Sequence, residues 1–576
     1  MGNETKTHST NSVSTTCQNC KKDFTIKPED FDYYEKVKVP PPTWCPECRL
    51  IRRWSFSNTW SLYWRNCDLC KNRTMSMYSP KDKIKVYCSP CWWGDSWDGT
   101  EYAMDYDPTR PFLEQIKELA EKTPYAALES LYTSLKNSDY SNALAWSKNC
   151  YQIFWADYCE NVYYSSILNG LKFSSDCLRG WESELCYGSI GFIKNYRTFF
   201  SDQSDSCVDV WFSRNCYGCT NCIGCVNLRN ASHCIFNIKY SKEEYAKKLK
   251  EMRLDSWESL QKLERQAHEF WFTKPYREYN GNSLNLNVTG EHTYSSKRSK
   301  EGYIVNYAEN CKWCQLITVA STKDSMDYSG WGNNATLIYE SVQVGENANN
   351  IQFSLYCTPD IFNLRYCGWN TAGKNNFGCM NLKRKSYCIL NKQYTKEEYE
   401  QLKEKIIEDM KKNPYIDKLG RKFFFGEFFP PEMSRFPYNK SNAMRFFPKT
   451  KEEALKQGHG WSDEENPSPP ATMLAFALPD TIKETDESIL NEIIECTSCK
   501  RSYRIVKGEF DLLRKLSLPV PRECPKCREN NRFARMTKPG LYHRNCAKCG
   551  NPIYTPYPPE DGRIIYCVKD YQAEFL

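Results

Sequence analysis

Paired cysteines carry the readable chemistry of this chain. Near the N-terminus they stand at Cys17 and Cys20, Cys45 and Cys48, Cys67 and Cys70, and Cys88 and Cys91. Near the C-terminus the pairs are Cys496 and Cys499, Cys524 and Cys527, Cys546 and Cys549, and then Cys567 followed by Asp570. A Cys-x-x-Cys turn offers two thiolates to one ion, so two such turns close a tetrahedral site. Soft all-thiolate sites accept iron, but closed four-cysteine sites in small polar modules are typical of structural zinc. The spacing therefore predicts about four Zn2+ ions; it leaves sequential and interleaved pairing open, and sequential pairing, the first pair with the second and the third with the fourth, is favoured. Asp570 is expected to supply an oxygen to the last site, with His543 as the less favoured substitute.

The C-terminal set repeats the N-terminal one at a constant shift of 479, which also matches Pro40 with Pro519, Arg49 with Arg528, Arg65 with Arg544 and Tyr87 with Tyr566. The 31 cysteines, an odd number, with no apolar leader or membrane-length apolar run, predict metal ligation and reduced thiols in a soluble cytoplasmic protein that does not enter a membrane. The net charge of +7 over 576 residues excludes a histone-like mode while allowing local basic patches.

Between the ends, "CVNLRNASHCIFNIKYSKEEY" from residue 225 matches "CMNLKRKSYCILNKQYTKEEY" from residue 379 at a constant shift of 154. Each string ends on capping-box spacing, Ser241 with Glu244 and Thr395 with Glu398, and so opens a helix. Upstream, cysteines fall at 150, 159, 177, 186, 207, 216, 225 and 234, which suggests a nine-residue period. That period predicts a β-solenoid with two nine-residue sides per turn, in which Cys216, Cys225 and Cys234 are stacked rungs and Cys219 and Cys222 decorate one turn. A serine at Cys159 or Cys177 would then cost about 1–3 kcal/mol in an apolar ladder. The run Cys216, Cys219, Cys222, Cys225 also has the look of a ferredoxin cluster motif, but its last gap is short and no proline follows. "GWNTAGKN" from residue 368 falls one residue short of a phosphate-binding loop and is read as a solenoid turn.

The expected fold is mainly β with helical insertions, a duplicated β-solenoid-like centre flanked by two duplicated treble-clef or zinc-ribbon-like modules. The expected boundaries are a disordered tail over 1–16, a double zinc module over 17–110, a helical connector over 111–148 and a first solenoid half over 149–240. A helical hairpin over 241–275, a linker over 276–300, a second solenoid half over 301–394 and a helix over 395–412 follow. An aromatic-rich clamp and linker over 413–490 leads to the second double zinc module over 491–576. The polar, proline-rich "GWSDEENPSPPAT" lies in that linker.

The strings "GEFFPPEMSRFPYN", "PVPRECPKCR" and "IYCVKDY", with the 225–245 segment, resemble a family of cysteine-rich proteins of candidate-phyla bacteria with small genomes. The resemblance covers most of the chain from about residue 140 onward. That family usually has a cysteine where Asp570 stands, and the resemblance implies no activity.

Basic and aromatic residues interleave near the predicted metal sites. Arg49, Arg53, Trp54 and Arg65 in the first module, with Arg528, Arg532 and Arg544 in the last, suit phosphate contact and base stacking. The expectation is a binding scaffold that engages RNA or a ribonucleoprotein through its end modules. A protein–protein scaffold is the alternative, and an enzyme of unassigned reaction a second one.

Overall fold

The computed structural model describes residues 12–281, 284–464 and 468–575. It is mixed and strand-rich, with 12 α-helices among the described residues. The chain divides into two compact units that do not follow the order of the sequence. One gathers Met1–Ala127, Tyr279–Asp463 and Lys538–Tyr542; the other gathers Leu128–Glu278, Glu464–Thr537 and His543–Leu576. The N-terminal cysteine module thus shares a unit with the later central segment, and most of the C-terminal module with the earlier one. The linear list of domains does not anticipate this exchange, since no local signal in a sequence reports which distant surface a module covers.

In the second unit the earlier central segment winds as a coil of parallel strands. Asn142 pairs with Phe154, Phe154 with Ser166, Ser166 with Leu178 and Leu178 with Ile190, a step of 12 residues each time. The strands Tyr196–Phe199, Val208–Trp211, Thr220–Ile223 and Ser232–Ile235 keep that step and end on the antiparallel strand Ile238–Lys239. Every third residue, from Asn137, Tyr140 and Ala143 through Trp146, Asn149 and Gln152 onward, lies in the left-handed region. Each 12-residue turn therefore has four three-residue sides, with one residue per side facing inward. Leu144, Ser147, Cys150, Ile153, Ala156, Cys159, Val162 and Ser165 are successive inward residues, and all are buried.

This overturns the two nine-residue sides. The cysteine intervals of 9, 18 and 21 are multiples of a three-residue period, because cysteine occupies only some of the inward positions. Left-handed non-glycine residues cost about 1–2 kcal/mol each, and the coil offsets this with bonds between turns. The N–H of Asn149 donates to Lys136 O at 2.9 Å and that of Asn161 to Lys148 O at 3.0 Å. Asparagine tolerates that backbone, and the Asn137, Asn149 and Asn161 side chains form a ladder of amide bonds at 3.2 and 3.3 Å.

Inward polar residues are satisfied in the same way at each turn. Ser165 Oγ donates to Tyr163 O at 2.7 Å and accepts the N–H of Cys177 at 2.9 Å. Cys159 Sγ donates to Asp157 O at 3.4 Å. Because serine fits this position with both bonds made, the cost expected from an apolar ladder does not apply.

The later central segment, in the first unit, coils by the same rule with insertions. Lys297 pairs with Glu309 and Lys300 with Lys312, 12 residues on, but Lys312 pairs with Met326, 14 on. Met326 pairs with Tyr339, Tyr339 with Gln352 and Gln352 with Arg365, 13 residues on each time, before the step of 12 returns at Arg365 and Phe377. These extra residues erase the period from the sequence. The segment "GWNTAGKN" is one turn of this coil, with Gly368 bridged to Met380 and Thr371 to Lys383.

The capped helices form as the sequence predicts, at Lys242–Glu251 and Lys396–Lys412, each with its capping box. Several boundaries move. Parallel bridging begins at Lys136 in the earlier coil and at Gly281 in the later one, so parts of the expected connector and of the linker over 276–300 belong to the coils. Val13–Thr16 is a strand paired with Asp23–Ile26 rather than tail; residues 1–11 of that expected tail, and 465–467 of the expected linker, lie outside the described residues. The clamp, expected from its aromatic run to pack over the solenoid ends, lies against the side of a coil instead. Phe425 meets Phe353 and Tyr366 on the side of its coil at 6.4 and 6.3 Å between ring centres, and Phe428 and Phe429 pack on Phe56 at 5.3 and 5.9 Å.

Candidate metal centres

The same local structure is built four times. In each, a hairpin knuckle carries the first cysteine pair. Cys17, Cys67, Cys496 and Cys546 each donate their N–H to the carbonyl five residues on, at 2.8–3.0 Å, and Lys21, Lys71, Lys500 and Gly550 turn the knuckle through the left-handed region. The second pair opens a helix. Cys45, Cys88 and Cys524 sit immediately before Pro46–Ser55, Ser89–Trp93 and Pro525–Arg535, and Cys567 immediately before Val568–Phe575. In all four the N–H of that cysteine donates to the first cysteine's sulfur at 3.2 Å.

The ligand atoms converge as sequential pairing predicts. Cys17, Cys20, Cys45 and Cys48 form one group and Cys67, Cys70, Cys88 and Cys91 the next; Cys496, Cys499, Cys524 and Cys527 form the third, and Cys546, Cys549, Cys567 and Asp570 the fourth. Within each group the ligand atoms lie within 4.8 Å of one another. A tetrahedron with metal–sulfur arms of about 2.3 Å has edges of about 3.8 Å. The sulfurs of Cys20 and Cys45 are 3.8 Å apart, those of Cys70 and Cys88 3.8 Å, those of Cys499 and Cys524 3.7 Å, and those of Cys549 and Cys567 4.0 Å. The residues fit a tetrahedral ion with thiolate ligands.

The knuckles also prepare the thiolates. Burial works against the Cys67 thiolate, but the N–H groups of Cys88, Cys70 and Leu69 outweigh it and hold its pKa down to about 7. Cys496 is held at about 7 in the same way, burial being outweighed by the N–H groups of Cys499, Cys524 and Ser498. In the fourth group Asp570 Oδ2 lies 3.1 Å from the sulfur of Cys546 and 3.2 Å from that of Cys567, in the place of a fourth sulfur. Bonds from the thiols of Cys549, Cys546 and Cys567 hold its carboxyl down to about 2. His543 takes no part: it is exposed and its ring lies edge-on to Tyr554 at 5.4 Å.

The residues expected to meet nucleic acid are occupied elsewhere. Arg49, Arg53 and Trp54 are fully buried. Arg49 donates to Asp327 Oδ2 at 2.9 and 2.7 Å, Arg53 to Asp327 Oδ1 at 3.0 Å, and Trp54 to Gln315 at 2.6 Å. Arg52 beside them pairs with Glu340 and Glu427. The C-terminal module repeats the arrangement: Arg528 donates to Asp176 Oδ2 at 2.7 Å and to Glu509 at 2.9 Å, and Arg532 to Asp176 Oδ1 at 2.6 Å. In each module two arginines one helical turn apart grip one coil aspartate in the left-handed region. Burial opposes the charge of Arg49 and Arg528, but Asp327 and Asp176 outweigh it and hold both pKa values above the ordinary arginine range.

Arg65 donates to Ser79 O and Ile84 O, at 3.2 and 3.1 Å, and Arg544 to Pro558 O and Arg563 O, at 3.2 and 3.0 Å. Both brace their own hairpins through equivalent acceptors. All seven residues thus have partners within the protein, and for Arg49, Arg53, Arg528 and Arg532 these are buried carboxylates. Asp176, Asp327, Glu340, Glu427 and Glu509 had no local signal to mark them.

No family model, curated protein or solved structure matches the chain. No helix among the described residues is long and apolar enough to cross a membrane.

Proposed function

We propose that the chain is a zinc-stabilised scaffold built from two related β-solenoids, each braced by a double zinc module of treble-clef or zinc-ribbon type, and that its partner is a protein. The observation that carries this reading is the repeated docking: the arginines that would make each module a polyanion binder are buried as ion pairs with a coil aspartate. What remains on the surface is an extended coil wall, the kind of face repeat proteins use for protein partners. The ion is assigned as zinc from four-coordinate, sulfur-rich sites without open positions. Membership of the cysteine-rich family suggested by the sequence fits this reading, as does a reducing, cytoplasmic setting for 31 cysteines that form no disulfide among the described residues.

One observation favours RNA as the partner instead. Trp64, 41% exposed on the hairpin of the second metal group, carries the Arg73 guanidinium 4.2 Å over its ring, and Lys71, Lys81, Lys83 and Lys85 of the same module are exposed. Affinity purification of the full chain from its native host, with and without nuclease, separates the readings. A protein partner unchanged by nuclease supports the scaffold. Loss of the partner with nuclease, together with weaker RNA binding by Trp64→Ala, overturns it in favour of RNA.

A further inference from the structure

In the earlier coil, Cys216, Cys219, Cys222 and Cys225 are not two rungs and two decorations. They fill all four inward positions of one turn, and each is fully buried. Cys207 stands one turn before Cys219, and Cys234 is in register with Cys222 one turn later. The six sulfurs pack as one cluster with Val210, edged by Leu228 and Ala231. The thiols of Cys219 and Cys222 donate to the Tyr217 and Thr220 carbonyls, both at 3.5 Å, on the wall of the same turn. Packing alone does not demand this composition, because leucine, valine, alanine and serine serve at inward positions elsewhere in the same coil.

A second observation lies on the wall of that turn. Arg214 is only 4% exposed, its Nη2 donates to Pro275 O at 3.3 Å, and its guanidinium lies 3.7 Å over the Tyr276 ring. Its Nε has no hydrogen-bond partner, and no carboxylate among the described residues pairs with it. A buried cation without a counter-charge is costly. The Cys216 thiol donates to the main-chain carbonyl of this same arginine at 3.7 Å, and Asp202 stands in register with Arg214 one turn earlier.

We propose that the Cys216–Cys225 turn binds one soft monovalent d10 cation of the copper(I) class through two of its thiolates. No three of these sulfurs are as mutually close as the ligands of the four terminal groups, so a tetrahedral ion finds no ready cage there. A two-coordinate ion needs only one pair of neighbouring sulfurs, and thiolates select soft monovalent ions. On binding, two thiols release their protons to solvent and two sulfur–metal bonds form; no electron is transferred. The product carries one net negative charge.

The test uses the full chain produced in cells supplied with zinc alone or with zinc and copper, followed by elemental analysis and copper X-ray absorption. One copper per chain in two-sulfur coordination, with the zinc content unchanged, is the expected result. The double variant Cys219→Ser, Cys222→Ser should lose that copper and keep its zinc and its melting temperature, since serine already occupies inward positions such as Ser165 and Ser174. Cys150→Ser with Cys186→Ser should keep the copper. Absence of copper, copper gained only as zinc is lost, or copper retained by the double variant would overturn the proposal. If that variant fails to fold, the wild-type absorption spectrum and zinc count decide alone.

Discussion

Replacing Asp176 by asparagine should loosen the C-terminal module from its coil without emptying its metal sites. Asp176 accepts from Arg528 at 2.7 Å and from Arg532 at 2.6 Å, and its side chain is 2% exposed, theirs 8% and 7%. The variant leaves Arg528 with Glu509 and Arg532 with the Tyr164 carbonyl, at 2.9 and 2.8 Å, so the site holds one buried positive charge in excess. Removing one member of a buried ion pair costs about 3–5 kcal/mol. That is a rise of a hundredfold to several thousandfold in the open population of the docked surface. Hydrogen exchange measures it: protection of the strand Leu178–Trp181 and the helix Pro525–Arg535 should fall together, with metal per chain unchanged. Glu182→Gln, on the same coil but 63% exposed beside Lys194, is the control and should change stability by less than about 0.5 kcal/mol. A loss under about 1 kcal/mol for Asp176→Asn would refute the reasoning, because the pair would then not hold the module down.

Asp570→Cys should complete the fourth site with sulfur, so that chelator titration followed by elemental analysis no longer finds one ion leaving before the others; an unchanged order of loss would mean Asp570 is not a ligand. Cys159→Ser should cost less than about 1 kcal/mol in chemical denaturation and leave metal content intact, since the hydroxyl inherits the donor bond to Asp157 O. His459 gives a pH signature: burial, then Arg421 and Lys449, push its pKa down to about 3. Unfolded, it takes a proton near pH 6.5, so its contribution to stability is complete above that pH and is lost progressively as the pH falls toward 3. His459→Asn should flatten the decline in stability between pH 6.5 and 4.5, measured by denaturant midpoints, and an unchanged slope would remove His459 as its source.

The metal centres were legible because their grammar is short-range. Two residues between cysteines make a knuckle, and the shift of 479 exposes the copy, so Cys17 through Cys91 and Cys496 through Asp570 could be grouped before any fold was known. The helices after Ser241 and Thr395 were legible for the same reason, since a capping box spans four residues. The coil was half legible. Its cysteines lie on the inward positions, but they sample a period of three so sparsely that nine was the visible interval, and the one- and two-residue insertions between Lys312 and Arg365 hid the later coil. The arginine pairs misled because their chemistry depends on Asp176 and Asp327, which lie hundreds of residues away in sequence. A guanidinium bound for RNA and one bound for a buried carboxylate read the same in one dimension.

The exchange of modules between units sets a timetable for synthesis. The N-terminal module is complete by Ala127, yet the segment that completes its unit begins only at Tyr279 and runs to Asp463, so the module must wait through the making of the whole earlier coil. At about 5–20 residues per second, that delay is roughly 10–30 s. The earlier coil then waits longer, because the helix bearing Arg528 and Arg532 is made only after the whole of Tyr279–Asp463. Through that interval Asp176 has no arginine to hold it and the coil wall is open to water and to other chains. Knuckles that fold on their own metal suit such an order, since each can be finished locally and stored. The nascent chain is thus a set of completed parts whose final assembly is postponed until Arg528 and Arg532 have been made, and in that window a chaperone or a second nascent copy has the most surface to find.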